Sequence, residues 1–447
     1  MVALPPRVVL AAPSSGSGKT TVTTGILAAL RSRGTTAAAF KVGPDFIDPT
    51  YHSLACGRPG RNLDAYLCGP ELMAPLLAHG SAGAQVAVIE GVMGLYDGKG
   101  GTDEASTAHV ARLLHAPVVL VVDARSMSRS VAALVHGFSS YDPSLVIAGV
   151  ILNQVGSDSH ELMLRESLAP LGIPVLGALR RRDDLTAPSR HLGLVPAAER
   201  AAESARQVAV WASLVRDAID LDELLRIAAA APTLEAEPWS AAVVGPAHVG
   251  SRVGVLTGGA FGFVYAEHLE LLRAAGAEVV EVHQDDETLP AIGALYVPGG
   301  FPEVYAAELS ANAALRASVR AFASGGGAVV GECGGLLWLG SELDGLPMCG
   351  VVPGAARMTS RLTLGYRLAS AAHDSWYAGS AGDSVRAHEF HYSTMTPPAG
   401  QRAAWQIGDR PEGYTTARVH ASYLHTHWAG APALAGNLAR AGVSRCR

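Results

Sequence analysis

At 447 residues the chain exceeds one ordinary core, which predicts two domains. Hydrophobic residues make up 49% and charged residues 17%, the balance of a soluble globular protein, and a net charge of −6 argues against nucleic acid as a partner. Five cysteines, an odd number with no Cys-x-x-Cys pair, argue against a disulfide framework and a zinc site, and no apolar run is long enough to span a bilayer.

The densest basic run, Arg180-Arg181-Arg182, is offset by Asp183-Asp184. The stretch from Met1 to Arg7 lacks the build of a signal peptide, so the cytoplasm is the expected compartment. The first predicted element is a buried strand over Val8 to Leu10. It runs into Ala11-Ala12-Pro13-Ser14-Ser15-Gly16-Ser17-Gly18-Lys19-Thr20-Thr21, and a helix follows over Val22 to Leu30. Strand, glycine-rich turn, Gly-Lys-Thr and helix are the layout of a nucleotide phosphate site. Backbone amides of Ser15, Gly16, Ser17, Gly18 and Thr21 can face a polyanion. Lys19 reaches the terminal phosphates, and the Thr20 hydroxyl suits Mg²⁺. Pro13 stands where the consensus loop has glycine.

A second strand over Thr36 to Lys41 ends at Val42-Gly43-Pro44-Asp45-Phe46-Ile47-Asp48-Pro49, which can only be a loop. Loops at strand ends bind ligands in open α/β sheets. Asp45 and Asp48 therefore fit Mg²⁺ binding or substrate orientation, and they fit turn-forming Asx residues equally well. The apolar strand Gln85 to Glu90 ends in an acid, the position of a second metal carboxylate in P-loop proteins, and Glu90 takes that role. Asp97, in the glycine-rich loop beyond, faces the acceptor or caps a turn. Further strands are predicted over Ala116 to Asp123, Leu145 to Leu152 and Ile173 to Leu176. Asn153, just past the second of these, can read an adenine edge through its amide. Strands alternating with helices predict a mostly parallel α/β sheet. A helical stretch over Ala197 to Ala231 leads to a proline- and glycine-bearing linker at 233–250.

The second half restarts with a strand over Arg252 to Leu256. A helix over Tyr265 to Ala275 and strands over Glu278 to Val282 and Leu295 to Val297 follow. The last strand is closed by Pro298-Gly299-Gly300-Phe301-Pro302-Glu303. A helix is predicted over Ala311 to Ala323. A strand over Gly326 to Gly331 then meets Glu332-Cys333-Gly334-Gly335 and a helix from Leu336. A nucleophile at a glycine-flanked strand-to-helix turn is an elbow, and the helix N-terminus is expected to lower the thiol pKa. A thiolate nucleophile calls for a histidine, and the late choices are His388, His391, His420, His425 and His427. Alternation would put His425 and His427 on one face of a strand. A nucleophile–base pair fits this segment better than a metal site does.

Taken together these motifs resemble the cobyrinic acid and hydrogenobyrinic acid a,c-diamide synthases of corrinoid biosynthesis. The marks are the loop from Ala12 to Thr21, Lys41 to Asp48, Glu90 to Asp97, Val297 to Glu303, Gly331 to Gly335, Glu389-Phe-His-Tyr-Ser393 and Ser422-Tyr-Leu-His425. The resemblance implies an amide synthase domain of dethiobiotin synthetase type over 1–232 and a class I-type glutamine amidotransferase domain over 251–447. The fold class expected is α/β, P-loop NTPase-like and then flavodoxin-like. Pro13 is ordinary for this branch of P-loop proteins.

The resemblance gives His425 the role of base to the Cys333 nucleophile, with amides near Gly299, Gly300 and Gly334 facing an oxyanion. Most triad amidotransferases carry a glutamate two residues after that histidine. Here the position holds His427, which leaves open what orients His425. In the first domain, ATP on Ser15 to Thr21, with Mg²⁺ on Thr20, Asp48 and Glu90, activates the a and c acetate carboxylates of a tetrapyrrole. L-glutamine supplies ammonia along a sheltered path, and a homodimer is left open. The closest alternatives are a diamide synthase for nickel-sirohydrochlorin and a cobyric acid synthase. A ParA-like nucleotide switch would lack the Cys–His half, and a stand-alone glutaminase would lack the P-loop half.

Overall fold

The structure is a computed structural model that describes residues 1–181, 189–190, 193–194 and 196–443. Arg182, Asp183, Asp184 and Cys446 lie outside the described residues. The chain divides into two units, Met1–Trp239 and Ser240–Arg447. Among the described residues, no helix is long and apolar enough to cross a membrane.

In the first unit the strands are Arg7–Ala11 (β1), Ala37–Val42 (β2), Arg61–Leu63 (β3), Val86–Glu90 (β4), Val118–Asp123 (β5), Ile147–Val155 (β6) and Val175–Arg180 (β7). They form one sheet in the order β3-β2-β4-β1-β5-β6-β7. All of its pairings are parallel. Val8, Val9 and Leu10, like Val118 to Val122, are fully buried. Helices cover both faces of such a sheet, so its strands read as continuous apolar runs. Helix α1 (Lys19–Ser32) starts at the end of the phosphate loop, and α2 (Asp48–Cys56) starts at the loop after β2. Two further helices used below are α3 (Ser130–Tyr141) and α4 (Ala201–Ala218). The predicted helical stretch breaks at Ile219, where the Asp220 side chain caps the next helix.

The second unit holds strands Ser251–Thr257 (β8), Ala277–His283 (β9), Ala294–Val297 (β10), Ala328–Glu332 (β11), Ala355–Ala371 (β12), Ser384–Thr396 (β13), Tyr414–Thr415 (β14), Val419–Ser422 (β15) and His425–Thr426 (β16). One sheet runs β9-β8-β10-β11-β15-β14, parallel except for β14. A second, mostly antiparallel sheet is built around the β12–β13 hairpin, with β16 on the far side of β13. The sequence pattern had not disclosed this second sheet. The apolar core of the unit gathers Leu256, Leu295, Val297, Val329 and Trp338 beside the first sheet. The predicted linker is shared between the units. Glu235–Ala236 pairs with Val2–Ala3, and the His248 amide donates to Ala275.

Two helical glycines in the first unit face opposite surroundings. A Cβ on Gly25 in α1 would stand 2.5 Å from Val215 Cγ2 and 2.8 Å from the Trp211 carbonyl of α4, whereas one on Gly137 in α3 meets nothing within 4 Å. Helix propensity favours alanine over glycine by about 1 kcal/mol, and overpacking costs about 1–3 kcal/mol. Gly137→Ala should therefore raise the melting temperature, and Gly25→Ala should lower it. Thermal unfolding of both variants checks this, and shifts of the same sign would remove the packing account.

Candidate active sites

In each sheet, parallel pairing brings the carboxyl ends of neighbouring strands to one edge. In the first unit this edge collects the loops after β1, β2 and β4 and the last residues of β6, within which Asn153 lies rather than past its end. Gly18 takes φ +91°, a conformation that favours glycine, and a Cβ there would collide with Asn153 Nδ2 at 2.2 Å. The Asn153 amide itself donates to the Ser17 carbonyl at 3.0 Å, so its side chain braces the phosphate loop. Lys19 Nζ donates to the carbonyls of Met93 at 2.6 Å and Ser14 at 3.3 Å. Burial first, and then the charge of Lys41, lower its pKa to about 8.

Thr20 Oγ1 stands 2.8 Å from Glu90 Oε1 and 3.1 Å from Asp48 Oδ2, so the predicted metal-binding trio converges. Two residues without a predicted role complete the cluster. Lys41 Nζ lies 2.7 Å from Asp48 and 2.8 Å from Glu90, and His52 Nε2 lies 2.6 Å from Glu90 Oε2. Burial alone would neutralise Lys41, but the two carboxylates outweigh it and hold the ammonium charged above its ordinary range. Burial likewise opposes the Glu90 charge, and Lys41 and His52 hold its pKa below the usual range. Asp45 Oδ1 accepts from the amides of Ile47 and Asp48, and Asp97 Oδ2 accepts from Gly94. Each of these two acids caps its own loop. Of these two missed residues only His52 had a local signal, whereas Lys41 needs the strand order. Lys41 pairs with Glu90 in the β2–β4 register, and His52 follows Asp48 by four residues on α2.

In the second unit the corresponding edge collects the loops after β10, β11 and β15. Cys333 sits at φ 48°, ψ −104°, a strained setting for a residue with a side chain, and helix α5 (Gly334–Leu339) follows it. The Cys333 amide donates to the Ser422 carbonyl at 2.7 Å, which fastens the elbow to β15. A Cβ on Gly334 would stand 2.9 Å from the Gly300 nitrogen, and one on Gly299 would stand 2.4 Å from His425 Cε1. Gly299, Gly300, Gly334 and His425 are therefore immediate neighbours around the elbow.

The thiol departs from expectation. Burial pushes its pKa up and Glu303 adds to this, while the Gly334 amide counteracts only in part. The α5 N-terminus belongs to a helix of six residues and is too weak to prevail. Burial lowers His425 to about 3, with His388 and His391 adding to the effect. Burial thus favours a neutral thiol at Cys333 and a neutral imidazole at His425.

The other late histidines are placed apart from one another. His388 pairs with His425 across β13–β16, and His391 stacks on Tyr423 at 3.7 Å. His420 lies against Tyr377 and Trp405. His427 stacks on Tyr265 at 4.2 Å, with Nε2 3.7 Å from Glu267. Three buried acids surround the site, and the sequence reading gave none of them a role. Glu332 accepts from Thr426 and Tyr296. Glu412 accepts from the Ser422 hydroxyl and the Tyr423 amide. Glu389 is paired with Arg367, Arg410 and His391. Burial raises both Glu332 and Glu412 to about 7. Among the described residues, no cluster of three His, Cys, Asp or Glu side chains could hold a metal.

Comparison with known proteins matches a family model within each half of the chain. Residues 8–195 match the CobQ/CobB/MinD/ParA nucleotide binding domain, and residues 252–433 match the CobB/CobQ-like glutamine amidotransferase domain. The chain is 53% identical to the hydrogenobyrinate a,c-diamide synthase of Streptomyces coelicolor, over 99% of this chain and 98% of that one. It is 52% identical to the enzyme of that name from Mycobacterium bovis, over 95% of each chain. It is 41% identical to the cobyrinate a,c-diamide synthase of Methanothermobacter thermautotrophicus, over 97% of this chain and 99% of that one.

Glu389 supplies a pH test of this geometry. Burial opposes its charge, but the hydrogen bond from His391 and the Arg410 charge win and hold it at about 2. Its stabilisation is then complete above the unfolded value of about 4.3 and is lost as pH falls through the folded one. Glu389→Gln should lower the unfolding free energy of the second unit by about 3 kcal/mol at pH 7, and by progressively less below pH 4. Denaturant titrations at pH 7 and 3.5 check this. A gap that does not change with pH would count against the ion-pair cluster.

Proposed function

The chain belongs to the family of hydrogenobyrinate and cobyrinate a,c-diamide synthases, and from that premise we propose that it amidates the a and c acetate carboxylates of hydrogenobyrinic acid with ATP and glutamine. It is a glutamine-dependent amidating ligase of cobalamin biosynthesis. The observation that carries this reading is a match over nearly the full length of relatives so named, together with both chemical centres in one chain. The higher identity to the hydrogenobyrinate enzymes than to the cobyrinate enzyme favours the cobalt-free substrate. The relatives do not favour nickel-sirohydrochlorin or cobyric acid synthesis.

In the second unit, Cys333 Sγ attacks the side-chain amide carbon of glutamine while His425 accepts the thiol proton. The tetrahedral oxyanion faces amides near Gly299, Gly300 and Gly334. The C–N bond breaks, His425 returns the proton to the leaving nitrogen, and ammonia departs from a thioester. Water hydrolyses the thioester to glutamate. The neutral resting pair suits this sequence, because charge appears on it only once glutamine has displaced water.

In the first unit, ATP lies on Ser15 to Thr21, and Asn153, whose amide is spent on the Ser17 carbonyl and the Gln154 amide, braces that loop in place of the base-reading role expected of it. The γ-phosphoryl group passes to a substrate carboxylate. This step is needed because a carboxylate is a poor electrophile, whereas an acyl phosphate carries a good leaving group. Ammonia attacks the acyl carbon and phosphate leaves, and the sequence runs twice. Thr20, Asp48 and Glu90 would hold Mg²⁺, and their hard oxygen set around one hydroxyl supports that assignment. When bound, Mg²⁺ neutralises charge on the phosphates. Asp45 and Asp97 fix the loops that would meet the tetrapyrrole. The four described cysteines are free, which supports a reducing, cytoplasmic setting.

The test is to incubate the protein with ATP, Mg²⁺ and hydrogenobyrinic or cobyrinic acid, with either glutamine or ammonium as donor, and to read amidation by mass. Both +1 and +2 products are expected, first on the cobalt-free acid. Cys333→Ala should lose glutamine-driven synthesis by roughly 10³-fold or more and keep ammonium-driven synthesis. Lys19→Ala should lose synthesis with either donor and keep glutaminase activity. No amidation of either acid would overturn the substrate, and loss of both donors in Cys333→Ala would overturn the division of labour.

A further inference from the structure

Position 427, where most triad amidotransferases carry a glutamate, holds a histidine stacked on Tyr265. The structure supplies a carboxylate from the other side of the pair. Glu332 directly precedes Cys333 and is only 4% exposed. Its Oε1 accepts from the Thr426 hydroxyl at 2.7 Å, and its Oε2 accepts from the Tyr296 hydroxyl at 2.9 Å. Thr426 directly follows His425. The Cys333 amide grips Ser422. Two consecutive residues of the elbow, 332 and 333, thus clamp both ends of the segment 422–426 that carries His425. Tyr296 on β10 fixes the carboxylate from the third side.

Packing alone does not require an acid at this position. Burying a carboxylate among apolar strands is unfavourable, and its titration near 7 reflects that burial. An apolar side chain of similar volume would fill the space without the penalty but could not hold the Thr426 hydroxyl.

We propose that Glu332 is the positioning residue of the Cys333–His425 pair, setting the imidazole against the thiol through Thr426 in place of the glutamate absent at 427. It touches neither reacting atom, and it acts by holding the backbone beside the base. The proposal rests on the reading of Cys333 as nucleophile and His425 as base.

The test is glutaminase kinetics on the full chain, with ammonium-driven synthesis as the check on the other unit. Thr426→Val keeps the volume and removes the hydroxyl, whereas Thr426→Ser keeps the hydroxyl. The Thr426→Val variant should lose roughly 10–100-fold in kcat, the scale of a misplaced catalytic group, with KM for glutamine within about twofold. The Thr426→Ser variant should recover most of the rate. Glu332→Gln, which can still accept from Thr426, should exceed Glu332→Ala in kcat. Wild-type kcat in Thr426→Val, failure of the serine variant to recover, or a rise in KM matching the fall in kcat would each overturn the proposal. Glutamine hydrolysis persisting in Cys333→Ala would instead sink the underlying reading. Loss in Cys333→Ala beside wild-type rates in Thr426→Val would sink the positioning role alone.

Discussion

Parallel strand pairing is the constraint on which both centres depend. It sends the carboxyl ends of neighbouring strands to the same edge, so loops far apart in sequence must meet there. In the first sheet the register that sets Lys41 beside Glu90 also brings the loop after β2 to the phosphate turn after β1. In the second sheet, pairing of Val297 with Gly331 and of Glu332 with Ser422 brings three loops around Cys333. Neither site is built on a single loop, and moving one strand by one register position would dismantle either.

The two edges treat charge in opposite ways. The first packs two carboxylates against one buried ammonium, with an imidazole hydrogen-bonded to one of them, before any ligand arrives. That suits a step in which highly charged phosphates move. The second holds Cys333 and His425, the pair proposed to react, neutral by burial and pairs its charge at Glu389 with Arg367 and Arg410. That suits a step in which an uncharged amide enters and charge develops only in passing.

Much of this was legible in the residues. The phosphate turn, the acid at the end of β4 and the cysteine elbow each carry their chemistry in a short local pattern. What was hidden depends on strand order, which is not local. Lys41 acquires meaning only when β2 is known to lie beside β4, and Glu332 only when Thr426 is known to return to β11. The antiparallel sheet stayed unread because its long hairpin mixes charged and apolar residues without a clean alternation, with a register shift between Met358 and Thr363. The thiol was misjudged for a related reason. A helix N-terminus can be seen in sequence, whereas the depth of burial that outweighs it is a property of the assembled unit.

The backbone at Cys333 has a consequence for how such a chain ages. A φ of 48° is a setting that glycine and asparagine accept more readily than cysteine. The residue proposed as nucleophile of the second unit is therefore not the one its fold prefers. Left to random change without demand for glutamine, position 333 would drift toward residues that relax the turn. On the proposed roles, the second unit would gain stability at the very step that removed its nucleophile, so a relaxed turn at 333 would mark a copy that no longer draws on glutamine.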